Sequence, residues 1–245
     1  MDFSIMQWMA AAVAAVLMGM SKTGMPGLST LFVPLMASIL PAKASTGIVL
    51  PMLVFADVFA VAYYRRHAVW PHVLRLMPWA LAGIGIGYLI MGRISDTQLK
   101  PVIGIIVLVM LGLNYVRGRI NGDNGQVPTQ WWFAGALGLV AGITTMMANA
   151  AGPIMVIYLL AMRLEKNEFI GTSAWYFLIL NWVKVPFSYN LGLITAASLK
   201  FNLVLLPFVL VGVAAGIVLL RKIPQRAFNI IVQVLAALAA VNMLR

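Results

Sequence analysis

Cysteine is absent from the chain. That excludes disulfides, thiolate metal sites and a cysteine nucleophile together. Histidine is scarce: His67 and His72 are the two present, five apart beside Arg65 and Arg66. No cluster of His, Asp and Glu has metal-ligand spacing. No Ser-His-Asp set and no paired carboxylates fall within the apolar runs. An integral-membrane enzyme therefore lacks support, and no cofactor is implied. Charge is also thin, at 9% of residues, against roughly 25% in an ordinary soluble domain. With 62% hydrophobic residues, the chain has too little polar surface to build a shell facing water. Hydrocarbon removes that need by acting as solvent for an apolar exterior.

The net charge of +11 does not indicate nucleic acid. The 17 Lys and Arg sit in short clusters between apolar runs, as loop charges do in membrane proteins, and form no basic stripe. A membrane helix needs about 20 mostly apolar residues. Five such runs precede residue 118, at about Ile5–Met20, Leu28–Leu40, Thr46–Tyr64, Val73–Met91 and Leu99–Val116. The first has no basic residue before it and no small-residue cleavage site, so it is expected to be a membrane helix and not a removed signal peptide. Arg117–Gln130 is polar and rich in turn residues. Five more runs follow, at about Trp131–Met147, Pro153–Met162, Phe169–Val185, Leu199–Leu220 and Ala227–Leu244.

The two halves repeat one another. Pro78, Gly83 and Gly87 match Pro207, Gly212 and Gly216 at an offset of 129. Gly47 and Asp57 match Gly171 and Asn181 at 124; Gly19 and Ser21 match Gly142 and Thr144 at 123. The expected fold is all-α and integral to the membrane, with two homologous repeats of about five helical segments: residues 1–117, a cytoplasmic linker at 118–130, and residues 131–245. Leu28–Leu40 and Pro153–Met162 are too short to cross unaided, and each follows a segment dense in Gly, Pro and small polar residues. They read as broken helices or re-entrant hairpins at the start of each repeat. If all ten runs cross, one side receives Lys22, Arg65, Arg66, Arg75, Arg117, Arg119, Arg163, Lys166, Arg221, Lys222 and Arg226. The other receives Lys43, Arg93, Lys100, Lys184, Lys200 and Arg245, which makes 11 against 6. The richer side is expected to be cytoplasmic, with both termini periplasmic and the repeats inverted. If the first two runs of each half form a re-entrant hairpin, three crossings per half remain, which is still odd. If one run of each pair crosses alone, the repeats become parallel.

Two breaks in corresponding places point to a midplane site. The first is Gly19 to Gly27, where Pro26 interrupts helical bonding and Gly24 and Gly27 admit close approach to backbone. Ser21, Lys22 and Thr23 supply hydroxyls and a charge, and freed N–H groups at a helix start bind anions. The second is Gly142 to Pro153, with Thr144, Thr145, Asn149 and Gly152. The alternative for both is a pair of ordinary interhelical turns. The Gly-x-x-x-x-Gly spacing lacks the Gly-Lys-[Ser/Thr] of a nucleotide loop, so an ATP-driven pump is not supported. Asp57 lies inside an apolar run, where an acid costs about 2.5–3.5 kcal/mol on insertion scales and marks function by default. It is expected to carry a coupling proton; a structural acid tied to backbone or a lysine is the alternative. Lys184, near the end of its run, is expected to snorkel to the interface, with pairing to Asp57 or to an anion as its alternatives. Trp70, Trp79, Trp131 and Trp132 read as interfacial anchors.

These features resemble the sulfite exporter (TauE/SafE) family, also called the toluene-sulfonate uptake permease superfamily, over essentially the whole chain. Each half has an apolar helix, a break rich in Gly, then a short apolar stretch with Pro, as at Gly19 to Gly27 with Pro34 and Gly142 to Gly152 with Pro153. A Gly-Thr-Ser element follows, close in Gly171-Thr172-Ser173 and loose in Ser45-Thr46-Gly47. A Gly-spaced helix, a basic loop and a last apolar helix end each half. The family's run of consecutive glycines after the first helix is absent from both halves. The resemblance implies transport of sulfite, a sulfonate or another small sulfur-containing or carboxylate anion across a bacterial cytoplasmic membrane. The expectation is thus a secondary transporter, coupled to protons by alternating access, with a small anion, a proton and lipid as partners and no nucleic acid. The substrate-binding set is expected to be Ser21, Lys22, Thr23, Gly24, Gly27, Thr144, Thr145, Asn149, Gly152, Thr172 and Asn181. An anion or small-solute channel is the alternative. Substrate, direction, coupling ion and a homodimeric state stay open at this level.

Overall fold

The structure is a computed structural model that describes residues 3–24, 28–99, 101–102, 104–106, 108–109, 131–162 and 164–219. Its helices are α1 (Ile5–Thr23), α2 (Ser29–Ile39), α3 (Ala42–Tyr64), α4 (Trp70–Arg93), α5 (Trp131–Ala148), α6 (Gly152–Ala161), α7 (Lys166–Asn190) and α8 (Ala196–Leu219). A further helical stretch starts at residue 96. Among the described residues there is no strand. The linker, the run Ala227–Leu244 and much of Leu99–Val116 lie outside the described residues. So do Pro26 and Gly27 of the first break.

Helix is what these segments must form in lipid, where every backbone N–H and C=O needs a partner within its own segment. Helices α1, α4, α5 and α8, and α3 with the turn after it, are long and apolar enough to cross. Their outer faces carry exposed Ile5, Met6, Leu74, Leu203 and Val211, apolar groups suited to hydrocarbon. Helix α7 is also long enough, with 25 residues, but it bears Lys166, Glu168 and Lys184. Both of its ends are specified locally: Glu165 and Glu168 form a capping box at the start, and Gly192 turns the chain at φ +69° just past the end.

Printed contacts fix the helix directions. Trp8 meets Phe201 at 5.2 Å between ring centroids, and Thr23 Oγ1 donates to Val213 O at 2.9 Å, so α1 and α8 run the same way. Helices α4 and α5 also run together, because a Cβ on Gly138 would meet Leu76 O and one on Gly142 would meet Ala80 O. Helices α3 and α7 are antiparallel: Gly47 abuts Leu193, Asp57 bonds Asn181, and Gly171 abuts Tyr64. Helix α3 thus starts at the same end of the bundle as α1 and α8, and α7 starts at the other end with α4 and α5.

Two short helices complete the arrangement. Helix α2 has 11 residues and α6 has 10, or about 16 Å and 15 Å at 1.5 Å per residue. Hydrocarbon is about 30 Å thick, so neither crosses it. Helix α2 lies between the inner end of α1 and the start of α3, and it returns the chain to the end where α1 began. Helix α6 does the same for α5, delivering the chain to the start of α7. Helices α1 with α2, and α5 with α6, thus form two helical hairpins whose first helices start at opposite ends of the bundle. The bend in the second hairpin is a helix stop made by Asn149. It has φ 52°, a left-handed conformation that Asn tolerates better than most residues. Asn149 N donates to Thr145 O at 3.0 Å, the single bond of an αL helix stop, and Ala150 N reaches back to Thr144 O at 3.4 Å.

Candidate substrate site

The end of α1, the start of α2 and the bend between α5 and α6 meet in the interior at a cavity of about 30 Å³. Space of that size admits about two water-sized atoms. Its lining comes from both halves: Ser21, Lys22, Gly24, Ser29, Phe32, Leu53 and Asp57 from the first, and Thr145, Asn149, Gly152, Ile170, Ser173, Ala174, Phe177 and Asn181 from the second. Eight of the residues expected from sequence are therefore brought together: Ser21, Lys22, Gly24, Asp57, Thr145, Asn149, Gly152 and Asn181.

Asp57 is fully buried. Lys22 Nζ lies 2.8 Å from its Oδ1, and Asn181 Nδ2 donates to its Oδ2 at 2.6 Å. The Lys22 ammonium also sits 4.3 Å from the centroid of the Phe177 ring, within cation–π range. Helical spacing explains this grouping. On α7, Phe177, Asn181 and Lys184 lie four and three residues apart and share a face. On α3, Leu53 stands one turn before Asp57. Lys22 is in the last turn of α1, where a cation also complements the helix dipole.

Lys184 does not snorkel. It is 1% exposed, and its Nζ donates to Asn149 Oδ1 at 2.6 Å, Thr145 Oγ1 at 3.1 Å and Asn181 Oδ1 at 3.3 Å. These acceptors lie inward, on α7 and the second hairpin, so the polar cluster outcompetes the distant interface. With two lysines and one carboxylate, the cluster carries one surplus positive charge when all three are ionised.

Three expected site residues stand off the cavity. Thr23 Oγ1 spends its proton on Val213 O and Gly19 O, at 2.9 and 3.1 Å, and so packs α1 on α8. Thr144 Oγ1 bonds back to Val140 O at 2.8 Å within its own helix. Thr172 Oγ1 accepts from Val69 N at 2.9 Å, fastening the turn after α3 to α7. Gly27 lies outside the described residues. Gly24 lines the cavity, but its missing side chain serves packing: a Cβ there would overlap Gly216 O. Sequence reasoning missed Ser29, Ser173 and Phe177. A signal for two of them existed, because stepping back from Asn181 by helical spacing reaches Phe177 and then Ser173 and Ala174. Ser29 had only its place as the first residue of a short helix.

A family model described as sulfite exporter TauE/SafE matches residues 10–243, nearly the whole chain. No curated protein and no solved structure gives a significant match.

Proposed function

Because the chain belongs to the sulfite exporter TauE/SafE family, whose members are membrane anion transporters and not enzymes, we propose that it is a proton-coupled secondary transporter working by alternating access. Its substrate in this reading is a small anion: sulfite, an organosulfonate, or a related sulfur-containing or carboxylate anion. Its place is the bacterial cytoplasmic membrane, with both termini periplasmic. The observation that carries the reading is the Lys22–Asp57–Asn181 cluster at the meeting point of two helix breaks, one from each half.

The chemistry follows from a competition. Lys22 cannot hold the Asp57 carboxylate and an entering anion equally well. Protonating Asp57 removes its charge and releases Lys22 to the anion, which then meets Ser21, Thr145 and the positive dipole ends of α2 and α6. When the proton leaves, the carboxylate reclaims Lys22 and expels the anion. The cavity is small, in keeping with a step between two open states.

Pseudo-symmetric packing supports an inverted repeat. A Cβ on Gly19 would strike Val209 O, and one on Gly142 would strike Ala80 O; a Cβ on Gly212 would strike Val16 O, and one on Gly83 would strike Leu139 O. Each pair of contacts maps onto the other by the sequence offsets of 123 and 129. The first hairpin of each half thus packs on the Gly-spaced helix of the other half, and two bodies exchanged in this way suit a rocking motion about the central site. Residues 1–117 and 131–245 are the two repeats in this proposal.

A panel of small anions screened for thermal stabilisation of the purified protein tests the site. A ligand that binds only the folded state, present at a hundred times its Kd, stabilises by about 2.7 kcal/mol. Stabilisation by sulfite or a sulfonate that disappears in Lys22→Met is expected. Equal stabilisation of both proteins would remove the cluster from the binding site.

A further inference from the structure

Lys184 is the charge that the Lys22–Asp57 pair leaves unanswered. Its three acceptors, Asn149 Oδ1, Thr145 Oγ1 and Asn181 Oδ1, are neutral oxygens. Three acceptors match the three N–H donors of an ammonium, where a neutral amine offers two. Asp57, the carboxylate of the cluster, is already engaged by Lys22 and Asn181. All three acceptor residues line the cavity and Lys184 does not, so the ammonium stands directly behind the cavity wall.

From there it acts on a ligand without touching it. It draws the oxygens of Thr145, Asn149 and Asn181 toward itself. The Thr145 oxygen then accepts from the lysine, which leaves its O–H to donate into the cavity. The ammonium also contributes a fixed positive charge a few ångströms from any bound anion. Once Asp57 takes a proton and Lys22 is released, two ammoniums face the ligand and no carboxylate opposes them. A divalent anion neutralises that pair. A monovalent anion leaves one buried charge unanswered, which is costly in a dry site.

Resting on the anion-site reading above, we infer that Lys184 makes the pocket select divalent over monovalent oxyanions. The second charge of a dianion gains from an ammonium at this range by enough, at the effective dielectric of a protein interior, to favour it by about tenfold or more.

Sulfate and methanesulfonate are the probes, since they share an SO₃ head and differ in carrying O⁻ or a methyl group. Binding to the purified full chain is measured by calorimetry at one pH, with sulfite as a third ligand. The wild type is expected to bind sulfate about tenfold or more tightly than methanesulfonate. Lys184→Met should weaken both anions but sulfate about tenfold or more beyond methanesulfonate, collapsing that ratio toward one. Thr145→Val should weaken both anions alike and leave the ratio in place, because it removes a donor and no charge. A wild type with no preference for sulfate overturns the inference, and this outcome needs no variant to fold. A proportionate loss of both anions in Lys184→Met overturns it as well, leaving a merely structural lysine in an intact anion site. If the wild type binds none of the three anions, the anion-site reading itself fails and the inference falls with it.

Discussion

Lys22 and Asp57 form an ion pair at 2.8 Å between the last turn of α1 and the second half of α3, with the carboxylate wholly removed from solvent. Neither helix tolerates its charge alone at that depth. The pair is held because each partner is satisfied again elsewhere: the carboxylate by Asn181, the ammonium by the face of Phe177. It ties the first hairpin to the central antiparallel pair of helices, so in the proposed cycle the bond that stabilises the resting state is the same bond that substrate must replace.

That double role predicts a non-additive pair of variants. Lys22→Met strands a buried carboxylate and is expected to destabilise the protein by about 3–5 kcal/mol. Lys22→Met combined with Asp57→Asn removes both charges and should recover most of that loss. Thermal unfolding of the three proteins in one detergent measures it. Additive losses would mean that the two side chains do not depend on one another.

Glycines of the helix interfaces give a second prediction. A Cβ on Gly83 would overlap Leu139 O and the backbone of α5, whereas one on Gly85 would meet nothing within 4 Å. Gly83→Ala should destabilise by about 1–3 kcal/mol through overpacking. Gly85→Ala should be neutral or stabilising by up to about 1 kcal/mol, because it restricts the unfolded chain. Gly152→Leu is different in kind: its side chain would fill the cavity, so it should abolish anion binding in a protein that still inserts and elutes as a single species. Matching melting temperatures for Gly83→Ala and Gly85→Ala would contradict the interface geometry.

Much of this was legible before any coordinates. Apolar runs gave seven of the eight helices to within a few residues of their ends, because lipid leaves the backbone no alternative to helix. The short α2 and α6 announced themselves by length, and the Gly and Pro spacing of the breaks picked out two segments that contribute to the cavity lining. Burial of specific hydroxyls was not legible. Ser21 and Thr23 are two residues apart, so they lie on different faces of α1, and only the position of α8 decides that Thr23 packs while Ser21 lines the cavity. Lys184 was misjudged for a related reason. A lysine near the end of an apolar run snorkels unless inward acceptors exist, and its three acceptors lie on α5, on the bend after it and on α7, where only the tertiary fold assembles them.

A third prediction concerns orientation. With Lys22 and Lys184 buried in the site, the remaining basic residues still favour the side that carries Arg65, Arg66 and the 118–130 linker. That side should be cytoplasmic. Reporter fusions after Arg245 and within residues 122–125 should therefore report opposite compartments, with the carboxy terminus periplasmic. A cytoplasmic signal at Arg245 would overturn the inverted arrangement, since it requires an odd number of crossings in each half.

Asp57 separates a proton-coupled carrier from a channel. In the carrier, protonating Asp57 frees Lys22, so anion affinity should rise as the pH falls. A channel has no need for that linkage. Asp57→Asn keeps the shape of the protonated acid and can still accept from Asn181 if its amide is suitably turned, but it never reclaims Lys22. Its anion binding should therefore be tight and nearly independent of pH. Accumulation driven by a pH gradient should be lost in proteoliposomes, while exchange of labelled for unlabelled anion continues at equal pH. The double readout matters because a misfolded variant would lose both activities. Full gradient-driven accumulation by Asp57→Asn would remove the acid from coupling; the ion pair would then be a structural tie, and a channel or a carrier coupled elsewhere would fit better.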